Sequence, residues 1–258
     1  YTTAREWIAS EHYEVREVVI DGMRFAGTSH IDAKHLTVSA MERCLDAVVI
    51  HYDIAPEKQR LIAAVQHGLP LYGATLLEHW QARAAAYPDE LARRMVREYL
   101  WLGPWYPPEA YVAREDTLLL YQHFCWMAQA LIGILAGLNR LYYPSSEYTS
   151  FQQTLPPIKW ADRFIGEMRL TPRDLVARLK QIFSVAPPEG WRELCRLIEE
   201  TLALVEAHLP QVNEVRPDDA RPEVSTTWAR ERFVDRPYTL LRTIGADAQY
   251  RWPGHRCS

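Results

Sequence analysis

The sequence has few cysteines, and none of them stands in a spacing that binds metal or forms a scaffold. Four of the 258 residues are cysteines, and no CxxC pair or Cys/His cluster occurs: Cys44, Cys125, Cys195 and Cys257. This scatter excludes a disulfide framework and a structural zinc site, and it favours a reducing compartment. We predict structural thiols rather than a catalytic nucleophile, because free cysteine is usually buried.

A long apolar run is also missing. The longest one, near residues 127–138, is interrupted by Gln129, Gly133 and Gly137, whereas crossing a bilayer takes about 20 apolar residues. No basic segment followed by an apolar stretch opens the chain, so we predict no secretory signal. The sequence therefore predicts a cytoplasmic protein with no membrane partner.

Positive charge is not in excess either. The 29 Lys and Arg residues against 33 Asp and Glu residues give a net charge of −4, which argues against a nucleic-acid partner because phosphate binding needs a basic surface. With 48% hydrophobic and 24% charged residues, the composition is that of a globular protein with one large or two small domains. Nine Trp and 14 Tyr residues make the chain rich in aromatic side chains. These side chains either form pockets in which a flat ligand stacks or belong to the hydrophobic core.

The first 36 residues are predicted to form strands. Glu14–Ile20 has alternating apolar residues, Asp21-Gly22 is a strong hairpin turn, and Met23–Thr28 and His30–Leu36 are two further strand candidates. Three short strands cannot bury both faces alone. We therefore expect this sheet to pack on helices or on strands that precede Tyr1.

After Thr37 the apolar period changes to that of helices. Thr37 or Ser39 is the predicted cap of the first helix, and Pro56 is the predicted first residue of the second. The further predicted helices lie at Thr75–Ala86, Pro88–Leu100, Glu109–Tyr143, Ile158–Met168, Thr171–Phe183 and Glu189–Leu209.

The predicted fold class is α+β and mostly α, with a small N-terminal mixed sheet packed on a C-terminal helical bundle. The connector Trp101-Leu-Gly-Pro-Trp-Tyr-Pro-Pro108 contains three prolines in eight residues and is the best candidate for a domain boundary. We therefore divide the chain into residues 1–100, a helical bundle at 101–210, and an irregular tail at 211–258.

Most common catalytic motifs are missing, which leaves Asp32 as the first candidate. The sequence has no P-loop, no GxGxxG, no HExxH and no Gly-x-Ser-x-Gly. Asp32 lies on a predicted strand, and a carboxylate held on a rigid element suits Mg²⁺ beside phosphates. The alternative is a solvated carboxylate on an edge strand. A cluster of Asp32 with His30 and His35 is disfavoured, because two histidines five residues apart on a strand face opposite sides.

The second candidate region lies at the end of the long apolar helix. Asn139, Arg140 and Tyr143 stand together there, and Lys159 begins the next predicted helix. Polar groups at the mouth of an apolar bundle suit a phosphate or a sugar. The alternative is that Arg140 stabilises the C-terminus of the helix and that Lys159 is solvated.

Several of these segments resemble one known group of proteins. Ile31-Asp-Ala-Lys-His-Leu36, Met41-Glu-Arg43, His67-Gly-Leu-Pro-Leu-Tyr-Gly73 and Tyr87-Pro-Asp-Glu-Leu91 are similar to segments of bacterial nucleotidyltransferase-like proteins of the DNA polymerase β type. The later segments resemble the helical domain of that group, and the layout is similar to that of the antibiotic nucleotidyltransferases. These are Leu138-Asn-Arg-Leu-Tyr-Tyr-Pro144, Ile158-Lys-Trp-Ala-Asp-Arg-Phe164 and Thr171-Pro-Arg-Asp-Leu-Val-Ala-Arg-Leu179.

The resemblance implies Mg²⁺-dependent transfer of a nucleoside monophosphate from a nucleoside triphosphate to a hydroxyl group of a small molecule. Asp32 would be a catalytic carboxylate that binds the metal, and Asn139, Tyr143 and Lys159 would contact the triphosphate or the acceptor. Asp116 or Glu115 is a candidate general base, with a helix N-terminal charge as the alternative. A homodimer is one assembly that this interpretation allows.

One part of the family pattern is not found. The sequence has no Gly-Ser turn followed by an Asp-x-Asp pair. Either the catalytic strands precede Tyr1, or the metal pair is lost. In the second case we expect a catalytically degenerate protein that binds a ligand or serves in assembly.

Overall fold

The structure is a computed structural model that describes residues 10–20, 23–102, 111, 114–142 and 165–235, with side chains from His35 onward. Two strands, β1 (Ser10–Ile20) and β2 (Met23–Lys34), pair antiparallel with Ile20 opposite Met23. The helices are α1 (Val38–Leu45), α2 (Pro56–Gln66), α3 (Ala74–Ala85), α4 (Asp89–Tyr99), α5 (Thr117–Leu138), α6 (Leu175–Ile182), α7 (Pro187–His208) and α8 (Thr226–Phe233).

The predicted α+β fold with a mixed sheet packed on helices is wrong. The part of the chain with described side chains is helical and contains no β-strand. The N-terminal backbone forms only a two-stranded antiparallel hairpin, because the strands on either side of residues 21–22 pair directly with each other. The predicted third strand, His30–Leu36, is mostly the continuation of β2.

Local sequence explains where the first helices begin and end. The Thr37 hydroxyl accepts a hydrogen bond from the Ala40 amide at 3.1 Å and caps α1. A π-helical turn, Asp46–Ile50, follows α1. Helix α2 begins at Pro56, a residue that is already set in the helical conformation. Gly73, with φ of 70°, precedes α3 in the left-handed conformation that glycine adopts without strain.

Helices α4 and α5 form the centre of the core and run antiparallel, in close contact. A Cβ atom at Gly137 would lie 2.9 Å from Met95 Cβ, and one at Gly133 would lie 2.5 Å from the Tyr99 ring. The two glycines, four residues apart on one face of α5, therefore let α4 approach closely. Helix α7 packs on the other side of α5, and α6 and α8 pack on α7.

Helix α5 is also the one helix of the described residues that is long and apolar enough to cross a membrane. Half of its apolar window is buried against the rest of the protein, as in the core helix of a soluble protein, so its composition is weak evidence for a membrane. The predicted lack of a membrane partner and the cytoplasmic location stay predictions.

Candidate functional site

The C-terminus of α5 forms a polar corner, made by Asn139, Arg140, Asp89, Arg169 and Leu170. The Asn139 amide nitrogen donates to the carbonyls of Leu135 and Leu170, both at 2.8 Å, and its oxygen accepts from the amides of Arg169 and Leu170, also at 2.8 Å. One side chain thus ends α5 and ties the 169–170 backbone to it. The hydrogen-bonding capacity of this amide is used within the protein.

Arg140 completes the polar corner on its solvent side. It has φ of 55°, and its Nε lies 3.1 Å from Asp89 Oδ1 at the start of α4. Both members are well exposed, with 47% and 82% of their side chains accessible, so the pair contributes little to stability. The alternative interpretation, in which Arg140 serves the end of the helix, agrees with this position.

Asp116, the candidate general base, caps the opposite end of α5. Its Oδ1 accepts a hydrogen bond from the Leu119 amide at 3.3 Å, which is the usual arrangement of a carboxylate at a helix N-terminus. Glu115 is exposed beside it, with φ of 56°. This geometry matches the alternative in which Asp116 is a charge at the helix N-terminus. A catalytic role of Asp116 stays a prediction.

Three of the predicted site residues cannot be compared with the structure. The backbone of Asp32 lies in β2, opposite His12, but its side chain lies outside the described residues, and so do Tyr143 and Lys159. The predicted convergence of Asp32 and Lys159 on one cavity therefore stays a prediction. The described residues contain no group of three or more His, Cys, Asp or Glu side chains that could hold a metal.

The described cysteines lie in positions that suit structural thiols. Cys44 and Cys195 are buried, and burial raises the pKa of the Cys44 thiol to about 11. Burial also raises the pKa of Cys125. Since only the thiolate is a good nucleophile, raised pKa values disfavour nucleophilic chemistry at Cys44 and Cys125.

A cavity of about 320 Å³ lies at the other end of the α4–α5 pair, and sequence reasoning missed it. We call it the aromatic cavity. Its chemically distinctive wall consists of Tyr99 and Trp101 at the end of α4, with Glu98 and Arg221 at the rim; the remaining wall is Ile54, Ala55, Pro56, Leu102 and Ala130.

The aromatic cavity is held in place by ring packing and by Arg97. Trp101 stacks on Trp228 of α8, with ring centroids 5.3 Å apart and planes 14° apart. Arg221 lies over the Trp101 ring at 4.9 Å, and its Nη1 donates to Glu98 at 3.2 Å. The buried Arg97 donates to the Arg221 carbonyl at 3.0 Å, which fixes the backbone of the arginine that faces the cavity.

The motif at residues 67–73 forms an exposed loop between α2 and α3. Gln81 braces its base by donating to the carbonyls of Val65 and Gly68, at 3.1 and 3.0 Å. At its tip, Leu71 and Tyr72 are fully exposed. The loop therefore belongs to the surface rather than to the core.

Comparison with known proteins gives one family match. A family model described as "Domain of unknown function (DUF4037)" matches residues 55–149. No curated protein and no solved structure matches the chain. The matched stretch runs from the start of α2 past the end of α5, so the chain is similar to this family over the α4–α5 pair, Asn139 and most of the aromatic cavity.

Proposed function

We propose that this protein transfers a nucleoside monophosphate from a nucleoside triphosphate to a hydroxyl group of a small molecule. In that reaction the acceptor oxygen bonds to the α-phosphorus of a nucleoside triphosphate, and the bond to the bridging oxygen breaks, so that pyrophosphate leaves. The proposal is supported by the resemblance of residues 138–144 and 158–164 to the helical domain of the DNA polymerase β type.

The observation that carries the proposal is the polar corner. The segment that contains Tyr143 and Lys159 begins after Tyr142, directly beyond Asn139, and the described chain resumes at Ile165. Asn139 ties residues 169–170 to the end of α5. The corner therefore contains Asn139, one of the residues that the resemblance assigns to the triphosphate or the acceptor.

Within this proposal, Asn139 is a positioning residue that orders the backbone beside the site. Three of its four hydrogen bonds hold the 169–170 backbone, and the fourth is to Leu135 in its own helix. Lys159 would supply the positive charge for the phosphates, because an ammonium group binds them as a point charge.

The metal of the reaction does not fit the described residues. Nucleotidyl transfer of this type uses Mg²⁺ held by carboxylates, and the part of the chain with described side chains offers no such cluster. We therefore derive no step through the metal, and the assignment of Asp32 as its ligand rests on the resemblance alone.

The second candidate function is a catalytically degenerate protein that binds a ligand or serves in assembly. It is favoured by the missing Gly-Ser turn with an Asp-x-Asp pair and by the lack of a metal-binding cluster among the described residues. Both candidates bind the nucleotide at the same site, and they differ in whether the bound nucleotide is converted to products.

Calorimetry with the 258-residue chain tests the proposal without requiring turnover. We expect ATP, GTP, CTP or UTP to bind in the presence of Mg²⁺, and Lys159→Gln to weaken that binding about tenfold or more, as loss of a charge-assisted contact does. Lys180→Gln, on α6, is the matched control and should bind as the parent does.

Two results would decide between the candidates. Binding with release of pyrophosphate that is abolished by Asp32→Asn supports the enzyme, whereas binding without release supports the degenerate protein. No binding of any of the four nucleotides, or equal binding by the two lysine variants, would refute the proposed nucleotide site.

A further inference from the structure

We propose that the aromatic cavity binds a small aromatic anion, meaning a planar ring system that carries one carboxylate or phosphate group. This inference does not depend on the proposed nucleotidyl transfer. Along α5 the cavity residue Ala130 is nine residues from Asn139, which places the two about 14 Å apart at 1.5 Å per residue.

The size of the aromatic cavity limits the ligand to one small ring system. Its volume of about 320 Å³ is at the lower end of the range of roughly 300–1,000 Å³ for ligand pockets. The apolar side chains of Ile54, Pro56, Leu102 and Ala130 line part of the wall. A ring with a short substituent fits this space, whereas a whole nucleoside triphosphate is too large for it.

The two aromatic side chains of the wall are already fixed, which favours a flat ligand. The Tyr99 ring lies so close to Gly133 that a Cβ atom there would meet three of its atoms within 2.7 Å. Trp101 is held by its stacking on Trp228. Because neither ring needs to be ordered when a ligand arrives, binding a planar group costs little conformational entropy, and offset or edge contacts between rings are favourable.

A positive group borders the same space and favours an anionic substituent. The Arg221 guanidinium lies at the rim, and its bond to Glu98 uses one of its five N–H donors. Ala55 and Pro56 form the start of α2, where the Ala55 amide already donates to the Asp53 carboxylate at 2.8 Å, so Arg221 is the group that favours the anion.

Three carboxylates lie near this space and oppose an anion: Asp53, Glu57 and Glu98. Asp53 is already neutralised by its ion pair with Lys58. Glu57 lies in the first turn of α2, and Glu98 pairs with Arg221 at the rim. The Glu98–Arg221 pair is accessible on both sides, at 41% and 37%, and such exposed pairs exchange partners at little cost. An incoming carboxylate or phosphate would take the place of Glu98 on the guanidinium, and Glu98 would turn to solvent.

Three naphthalene probes test the proposal on the 258-residue chain. Calorimetry and tryptophan fluorescence should show 2-naphthoate or 2-naphthyl phosphate binding at least tenfold more tightly than the neutral 2-naphthamide. The two anions distinguish a carboxylate ligand from a phosphate ligand, and tight binding of either supports the proposal. Equal affinity of the amide and both anions, or no binding of any probe, would refute it.

Arginine variants locate the charge that the probes detect. Arg221→Gln should remove the preference for the anions, whereas Arg173→Gln is the matched control, because Arg173 is 94% exposed on the surface. Circular dichroism spectra like that of the parent would show that both variants are folded. A preference that survives in Arg221→Gln would refute the assignment. Arg221→Gln should also leave nucleotide binding unchanged, so this proposal and the proposed nucleotide site can fail separately.

Discussion

Helix α4 is buried on two faces by different physical means. Against α5 it packs through Ala92, Met95, Val96 and Tyr99, in a groove opened by the glycines at 133 and 137. Its other buried face carries an ion network, defined by Glu90, Arg93, Arg97 and Asp219. The Arg93 side chain is 2% exposed and bonds to both Glu90 and Asp219 at 2.9 Å.

The two faces hold different parts of the chain to the core. The glycine groove joins two helices close in sequence, whereas the ion network ties residues 212–222 to α4, since Arg97 also donates to the Val212 carbonyl at 2.6 Å. Close apolar packing depends on shape and not on pH. A buried ion pair depends on the charge of every member, because removal of one partner leaves an uncompensated charge. The attachment of residues 212–222 to α4 should therefore respond to acid, whereas the glycine groove should not.

Acid is the strongest way to separate the two faces. Burial alone would raise the pKa values of Glu90 and Asp219, but the hydrogen bonds and positive charges of Arg93 and the neighbouring arginines together outweigh it and hold both pKa values below their ordinary range. A carboxylate with a lowered pKa in the folded state stabilises the fold above its unfolded pKa of about 4, and this stability is lost as the pH falls through the folded pKa.

We expect the free energy of unfolding to fall steeply between about pH 5 and the lower folded pKa values of these carboxylates. Urea unfolding followed by circular dichroism measures this dependence. The double variant Glu90→Gln/Asp219→Asn is less stable at neutral pH, and its acid dependence should be shallower. An acid limb as steep as that of the parent would show that the network does not set the pH response.

Arg93→Met removes the central cation of the network and should cost about 3–5 kcal/mol, because Glu90 and Asp219 are then left buried without it. Arg140→Met is the matched control, since its pair with Asp89 is exposed, and should cost about 0–1 kcal/mol. Urea unfolding at neutral pH measures both. Equal losses for the two variants would contradict a special role of the buried arginine.

Helix boundaries could be predicted where one residue dictates the local conformation. The Thr37 cap and the start at Pro56 are confirmed, because a hydroxyl cap and a proline act within one turn. The predicted helix at Glu109–Tyr143 is too long, since α5 runs from Thr117 to Leu138. Asp116 caps it at one end, and Arg140 turns left-handed beyond the other.

The α8 helix and the aromatic cavity show what sequence periodicity does not reveal. Helix α8 lies in the predicted irregular tail, where the only local signal is Ser225, whose hydroxyl accepts from the Trp228 amide at 3.1 Å. The cavity joins Trp101 to Arg221, which are 120 positions apart, and only the folded core brings them together. Asn139 and Arg140 could be singled out because they are adjacent in the chain, but their partners Leu170 and Asp89 lie 31 and 51 positions away and could not be predicted.

The glycine groove should give the smallest effect and the one least dependent on pH. In Gly133→Ala, the new Cβ would lie about 2.5 Å from the base of the Tyr99 ring, so the ring and α4 must shift. Overpacking of this kind costs typically 1–3 kcal/mol, and the better helix propensity of alanine returns up to about 1 kcal/mol. We therefore expect a net loss of about 1–2 kcal/mol in urea unfolding.

Gly166→Ala is the matched control, since a Cβ there would meet nothing within 4 Å and its φ is not positive; it should be neutral or slightly stabilising. The loss in Gly133→Ala relative to the parent should also stay constant as the pH falls, because the glycine contact is with Tyr99, whose phenol does not titrate in acid. A loss that grows or shrinks with acid would mean that the two faces of α4 are coupled through the helix, and that the division between a packed face and a charged face is wrong.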